Sequence, residues 1–145
     1  MRPKATAEPL SEVSRSKEES PEKSRIAWIQ VEEGPQDGAE GKSAEAAARQ
    51  PVDILVANAG AAESAPFGRS DAALFQRMMD VNFMGVVHAT QAVLPAMVER
   101  RRGRIVAIAS TAVLKGYAHV SAYSAAKHAV IGLVRSLALE TARSG

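Results

Sequence analysis

The sequence predicts an α/β fold built around a parallel sheet. Two short apolar runs, "VDILVANAG" (52–60) and "RIVAIAS" (104–110), have the β-branched and leucine content of strands that are buried on both faces. Each run is followed by a stretch in which apolar residues recur every three or four positions, as in an amphipathic helix. Strand, helix, strand and helix with short joins indicate a right-handed parallel unit.

The first 50 residues carry a weaker signal. Residues 1–25 are rich in Ser, Glu, Lys, Arg and Pro and have no apolar periodicity, so we expect them to be disordered. "IAWIQV" (26–31) has the composition of one short strand, and "KSAEAAARQ" (42–50) contains good helix formers and predicts a short helix. We therefore divide the chain into a disordered segment, 1–25, and a partial domain, 26–145.

Two long helices are predicted in the second part of the chain. The first begins near Asp71, where Ser70 can provide the N-cap, and extends to about Arg100 with a break expected near Asn82. Its apolar face is predicted to comprise Leu74, Met78, Val81, Gly85, Ala89, Ala92, Val93 and Ala96. The second helix is predicted over 121–142, with Ala126, Val130, Leu133, Val134, Leu137 and Ala138 in periodic positions.

The composition excludes several classes of function. The chain has no cysteine, which excludes disulfides, thiolate metal sites and cysteine nucleophiles, and its three histidines lack metal-ligand spacing. A net charge of +2 is too small to indicate nucleic-acid binding. No apolar run approaches the roughly 20 residues of a membrane helix, and the N-terminus lacks the apolar core of a signal peptide. We expect a soluble, cytoplasmic chain that binds no metal, nucleic acid or membrane.

Polar residues converge at the carboxyl ends of the predicted strands, where ligands bind in such sheets. Asn58 and Gly60 end the first strand, and Ser110 ends the second. The second helix begins near the same edge, and its Tyr123 and Lys127 share one face because they are four residues apart. A phenol has a pKa of about 10, and a nearby cation favours its charged form. A phenol, an ammonium and a hydroxyl suit the interconversion of a carbonyl and an alcohol, for which a nicotinamide cofactor would supply the hydride.

Four motifs, in order and at matching spacings, resemble those of the short-chain dehydrogenase/reductase family, which has the Rossmann fold. They are "ANAG" (57–60), "DVNFMG" (80–85), "AIAS" (107–110) and "YSAAK" (123–127). The resemblance covers roughly residues 51–145.

The resemblance implies roles for particular residues. Tyr123 would be the general acid/base, and Lys127 would lower its pKa and bind the nicotinamide ribose. Ser110, thirteen residues before the tyrosine, would orient the substrate carbonyl, and Asn82 would help to hold a proton-relay water. Cofactor contacts, to NAD or NADP, are implied for Asn58, Ala59 and Gly60 together with Tyr123 and Lys127.

The sequence also departs from the family pattern. The loop TGxxxGxG, which follows the family's first strand, does not occur, and the spacing of Gly34, Gly38 and Gly41 does not match it. We therefore expect a partial Rossmann fold in which the first βαβ unit is missing and 26–31 substitutes for the family's third strand. We also expect the chain to stop before the family's substrate loop.

Two functions remain open at this point. The first is an NAD(P)-dependent oxidoreductase acting on a small carbonyl or alcohol, including hydroxyacyl and ketoacyl substrates. The second is a catalytically inactive fragment that serves as an oligomerisation or scaffold module. Because the family's corresponding helices pack in dimers and tetramers, the resemblance also implies a homodimer or homotetramer formed through 71–99 and 121–142.

Overall fold

The computed structural model describes residues 26–29 and 51–144 and contains one three-stranded parallel sheet. Its strands are β1 (Ile26–Ile29), β2 (Ile54–Ala57) and β3 (Arg104–Ala107), in the order β1-β2-β3. Ile54 is paired with Ile26 on one side and with Arg104 on the other. The α/β class with a parallel sheet is confirmed. The expectations for residues 1–25 and for a helix over 42–50 lie outside the described residues.

The position of β1 differs from the expectation. In the doubly wound order 3-2-1-4-5-6, the strand beside the fourth is the first, and the "ANAG" strand corresponds to the fourth. Because β1 pairs directly with β2, it lies where the family's first strand lies and not where the third strand lies. The prediction relied on distance along the chain, which does not determine which strand a segment pairs with.

The prediction that β3 is buried on both faces is wrong. Along β3 the side chains alternate between exposed and half-buried, and Val106 is 44% exposed. Within the described residues, β3 pairs with β2 alone, so one of its edges and part of one face lie open. An apolar run gives the identity of a strand but not the number of layers that cover it.

The helices match the predicted positions closely. A 3₁₀ turn (Phe67–Arg69) precedes α1 (Ala72–Met79), a π-helical turn (Asp80–Met84) and α2 (Gly85–Glu99). A second 3₁₀ turn (Thr111–Val113) precedes α3 (Ser121–Thr141). The expected break near Asn82 is the π-helical turn, and the expected long helix over 121–142 is α3.

The N-cap of α1 is Asp71 and not Ser70 as predicted. The Asp71 carboxylate accepts a hydrogen bond of 2.8 Å from the Leu74 backbone N–H. Ser70 instead donates to the Pro66 carbonyl at 3.1 Å, within the preceding 3₁₀ turn. Both residue types cap helices, so the sequence alone did not distinguish them.

The π-helical turn shifts the apolar face of the helices by one residue. A π turn contains one more residue than an α turn, so buried positions that follow it can be displaced by one residue. Leu74, Met78, Ala89 and Val93 are buried as predicted. The other four buried side chains are each one or two positions from the predicted ones: Asn82, Val86, Thr90 and Met97 are buried, and the predicted Val81, Gly85, Ala92 and Ala96 are not. This shift places Asn82 inside the core.

Three apolar clusters hold the elements together. The first joins α2 to the sheet and contains Val52, Leu55, Ala89, Val93 and Met97. The second joins α1 to α3 through Leu74, Met78, Ala122 and Ala126, with Tyr123 packed against it. The third, Ala57, Val86 and Val130, lies where the sheet, α2 and α3 meet. In α3 the buried residues lie between Ala122 and Val130, so only its first half is fully packed.

The helical stretch Ala72–Glu99 contradicts the expectation that no apolar run in the chain approaches the length of a membrane helix. It is 28 residues long and, by length and composition alone, apolar enough to cross a membrane. Its buried side chains contact the sheet and α3, as those of the core helices of soluble proteins do. It also carries Asn82 at a fully buried position.

Truncating Leu55 tests the core between α2 and the sheet. Leu55 is fully buried in the central strand, so Leu55→Ala should lower the free energy of unfolding by about 2–5 kcal/mol. Leu114→Ala is the matched control, because Leu114 is 83% exposed and should change that free energy by less than about 0.5 kcal/mol. Urea denaturation followed by circular dichroism measures both. Equal effects of the two variants would contradict the packing described here.

Candidate active site at the carboxyl edge of the sheet

A cavity of about 200 Å³ lies where β2 and β3 end and α3 begins. It is lined by Asn58, Gly60, Ala61, Ala62, Asn82, Ile108, Ala109, Tyr123 and Lys127. Five of the residues singled out in the sequence therefore surround one space: Asn58, Gly60, Asn82, Tyr123 and Lys127. Parallel strands bring their carboxyl ends to the same edge, which explains why distant residues meet there.

Lys127 is the charged group of the cavity. It lies in α3, is only 4% exposed, and donates a hydrogen bond of 3.0 Å from Nζ to the carbonyl of Ile108, directly after β3. Burial lowers the pKa of Lys127, because the ammonium has lost much of its hydration. Its Nζ lies 5.9 Å from the centre of the Tyr123 ring, as expected for residues four apart on one helix face.

Asn82 is a fully buried amide in the π-helical turn. Its Nδ2 donates to the carbonyl of Ala61 at 2.8 Å and to that of Met78 at 3.0 Å. Its Oδ1 is buried and has no hydrogen-bond partner in the described part of the protein. The amide thus connects α1 to the loop after β2 and presents a free acceptor beside the cavity.

Gly60 lets the loop after β2 approach the buried amide. A Cβ atom at this position would lie 2.7 Å from Asn82 Oδ1 and 3.4 Å from Lys127 Nζ. A carbon atom cannot approach an oxygen that closely without displacing it. The absence of a side chain at Gly60 therefore keeps this side of the cavity open.

Further contacts hold the loop between β2 and α1. The Ala65 N–H donates to the carbonyl of His119 at 2.8 Å, which connects this loop to the segment before α3. Arg77 in α1 donates to both carboxylate oxygens of Glu63, at 3.2 and 3.0 Å. Both side chains are about half exposed, so the hydrogen-bonded arrangement positions the loop more than it stabilises the fold.

Of the two proposed catalytic hydroxyl groups, the structure places that of Tyr123 at the cavity and that of Ser110 outside its lining. Tyr123 is half-buried and lines the cavity, whereas Ser110 follows the lining residue Ala109 without lining the cavity itself. The Ser110 Oγ accepts a hydrogen bond of 3.1 Å from the Ala112 N–H and caps the 3₁₀ turn there. Ala59 likewise lies between lining residues without being one of them.

Sequence reasoning missed the backbone groups of the site. The carbonyl of Ile108 holds Lys127, and that of Ala61 holds Asn82. Ala61, Ala62 and Ala109 complete the cavity wall. Small residues after "ANAG" and before Ser110 were the available signal, since only they permit the backbone to form the wall.

One group of charged residues lies apart from the cavity. The arginine-rich run 100–104 leads into β3 at the opposite edge of the sheet, where Arg100 donates to the carbonyl of Val52 at 2.8 Å and lies 3.8 Å from the carboxylate of Asp53. No group of three or more His, Asp or Glu side chains within the described ranges is arranged to hold a metal ion.

Comparison with known proteins identifies the family. The family model described as short chain dehydrogenase matches residues 4–145. This chain is a member of the short-chain dehydrogenase family. A solved member, an oxidoreductase of this family from Burkholderia thailandensis, matches the structure with a TM-score of 0.68 at 39% identity, over 73% of this chain and 42% of that one.

Other short-chain dehydrogenases resemble the chain over its second part. A (-)-trans-carveol dehydrogenase of Rhodococcus erythropolis is 49% identical over 94 residues, which are 63% of this chain and 34% of that protein. The 3-ketodihydrosphingosine reductase of Mus musculus is 40% identical over 90 residues, 62% of this chain and 27% of that protein. The chain thus spans about a third of the curated relatives it matches.

Several solved relatives contain bound NADP. A 3-oxoacyl (acyl-carrier-protein) reductase from Agrobacterium tumefaciens, with NADP bound, matches with a TM-score of 0.70 at 34% identity, over 76% of this chain and 43% of that one. The described residues therefore form part of the Rossmann fold that the family shares.

Adding one methyl group at Gly60 tests the close approach to Asn82. Gly60→Ala should lower the free energy of unfolding by about 1–3 kcal/mol, because Asn82 is held by two hydrogen bonds and cannot yield freely. Gly68→Ala is the control, since a Cβ there meets no atom within 4 Å. Thermal unfolding measures both variants. A Gly60→Ala protein as stable as Gly68→Ala would show that the loop does not approach Asn82 closely.

Removing the Lys127 ammonium tests its burial. At alkaline pH the unfolded chain binds this proton more tightly than the folded chain, so the free energy of unfolding should rise with pH between the lowered pKa of Lys127 and the ordinary lysine pKa of about 10.4. In Lys127→Met this rise should shrink, whereas in Lys115→Met, which removes an exposed ammonium, it should persist. Urea titrations at several pH values provide the measurement. A rise of unchanged size in Lys127→Met would contradict the burial of the charge.

Proposed function

We propose that this chain carries the catalytic centre of an NAD(P)-dependent oxidoreductase that interconverts a carbonyl and a secondary alcohol by hydride transfer. The observation that carries the proposal is the meeting of a phenol, a buried ammonium and a buried amide around one cavity, from Tyr123, Lys127 and Asn82. These groups can move and stabilise a proton, and membership of the short-chain dehydrogenase family supports that chemistry.

The cavity fits one end of a dinucleotide. At about 200 Å³ it is smaller than the roughly 300–1,000 Å³ of pockets for drug-sized ligands, so it would take the nicotinamide end and not the whole molecule. Asn58, Ala59 and Gly60 would hold the cofactor on the β2 side, and Lys127 would bind its ribose. The free Oδ1 of Asn82 adds an unused acceptor beside that space. When bound, the cofactor supplies or accepts the hydride.

Tyr123 is proposed as the general acid/base. In carbonyl reduction its hydroxyl would donate a proton to the substrate oxygen, and in alcohol oxidation its phenolate would accept one. The positive charge of Lys127, fixed by the Ile108 carbonyl, would stabilise that phenolate. Ser110 would orient the substrate oxygen, and Asn82 would hold the water that relays the proton.

The substrate class follows from the relatives' names. Carveol dehydrogenase names an alcohol, and the 3-ketodihydrosphingosine and 3-oxoacyl reductases name ketones. We extend to this chain the shared chemistry, a carbonyl or secondary alcohol, with hydroxyacyl and ketoacyl compounds included. NAD and NADP both remain candidate cofactors.

A second function, that of an inactive oligomerisation or scaffold module, is favoured by a separate observation. Val98 on α2 and Val134 and Leu139 on α3 are exposed apolar side chains. A homodimer or homotetramer through 71–99 and 121–142 would cover such residues. The domain division 1–25 and 26–145 and a cytoplasmic location stay predictions under either function.

Removing the phenolic hydroxyl separates the two functions. With carveol and NAD or NADP as probes, Tyr123→Phe should reduce turnover at least about 1,000-fold, because it eliminates the proton donor, while the melting temperature stays unchanged. Tyr117→Phe is the matched control and should retain turnover, since Tyr117 does not line the cavity. Isothermal titration calorimetry with NADH and NADPH provides the second measurement. No binding at millimolar cofactor, together with no turnover, would support the scaffold module instead.

A further inference from the structure

The peptide groups on the two sides of Ala112 are hydrogen-bonded to two serines. The Ala112 N–H donates to Ser110 Oγ at 3.1 Å, and the Ala112 carbonyl accepts from Ser124 Oγ at 2.9 Å. Ala112 is only 3% exposed, so these bonds lie in a largely dry part of the protein. Ser124 is thereby connected, through one residue of backbone, to the Ser110 hydroxyl.

The hydrogen bond from the Ala112 N–H determines which atoms of the Ser110 hydroxyl remain available to a substrate. A serine oxygen has two acceptor lone pairs and one proton to donate. The Ala112 N–H occupies one lone pair and leaves the Ser110 proton free to be donated to a substrate oxygen. Rotation of the Ala112 peptide would break this bond and release the Ser110 hydroxyl from its orientation.

α3 holds the Ser110 segment on both sides. Two residues before Ser110, the carbonyl of Ile108 accepts from Lys127, and two residues after it, the carbonyl of Ala112 accepts from Ser124. Tyr123 precedes Ser124 directly in the first turn of α3. The helix that carries the phenol thus also determines where the serine hydroxyl lies.

The other hydrogen bonds of this segment do not perform this function. Val113 donates to Ser110, Leu114 and Lys115 donate to the Thr111 carbonyl, and the Tyr117 hydroxyl donates to Thr111 Oγ1, all within residues 110–117. Among the described residues, the Ser124 side chain forms the hydrogen bond between this turn and α3. Its loss would free the turn to move relative to the helix and would loosen the hydrogen bond from the Ala112 N–H to Ser110 Oγ.

We propose that Ser124 is a positioning residue. Its hydroxyl fixes the position of Ser110 and the 3₁₀ turn that follows it relative to Tyr123. The expected effect of Ser124 on turnover rests on the proposed function, whereas its expected effect on the position of the 3₁₀ turn does not. The role requires a hydroxyl at this position, so threonine should replace Ser124 and alanine should not.

Hydrogen exchange of the unliganded protein tests the contact directly. In Ser124→Ala the backbone amide of Ala112 should exchange at least about tenfold faster, because its bond to Ser110 is no longer held in place, while the amides of α3 beyond Lys127 keep their rates. In Ser124→Thr the Ala112 amide should exchange at the same rate as in the protein without substitutions. Ser136→Ala, the same substitution at an exposed position of α3, is the matched control. Unchanged exchange at Ala112, or an equal rise throughout α3, would overturn the proposal.

Kinetics then test the consequence for the reaction, with carveol and NAD or NADP as probes. Ser124→Ala should lower kcat about 10- to 100-fold, as expected for a misplaced catalytic group, with the KM for the dinucleotide unchanged. A normal kcat in Ser124→Ala would overturn the positioning role. If the unchanged protein shows no turnover, the proposed function fails, and the exchange rates still decide whether Ser124 holds the turn.

Discussion

The site depends on one hydrogen bond, from the buried ammonium of Lys127 to the carbonyl of Ile108. A charge that is only 4% exposed is costly unless a polar partner compensates for its lost hydration. The end of β3 provides that partner at 3.0 Å, so the first turns of α3 must lie against this edge of the sheet. This requirement brings Tyr123 to the cavity and places the turn after Ser110 beneath the same helix.

A second constraint acts from the side of β2. The buried amide of Asn82 binds the loop after β2 through the Ala61 carbonyl, and Gly60 permits the approach. Polar groups are therefore buried on both sides of the cavity, each held by backbone carbonyls. Apolar residues would pack more easily at these positions, so the buried polar groups lower the stability that this region could otherwise reach.

The sequence predicted the parallel strands, the two long helices and five of the residues that line the cavity, because periodicity and motif spacing record them directly. It predicted that Ala89 and Val93 of α2 are buried but missed Val86, Thr90 and Met97, since one extra residue near Asn82 displaces these positions. It also missed the open edge of β3 and the pairing of β1 with β2, which depend on neighbours distant along the chain. Backbone acceptors such as the Ile108 carbonyl leave no mark on residue type. The roles of Ser110, Tyr123 and Lys127 remain predictions from the family and from their placement.

The π-helical turn at Asp80–Met84 has a consequence for how the gene can vary. The π turn accommodates one more residue than a regular α-helix would, so loss of a single codon within it would let an unbroken α-helix form. Val86, Val93 and Met97 would stay on the face that packs against the sheet, because the one-residue displacement would disappear together with the π turn. Loss of the Asn82 codon would therefore remove the buried amide from the cavity while the core beneath α2 remained in place.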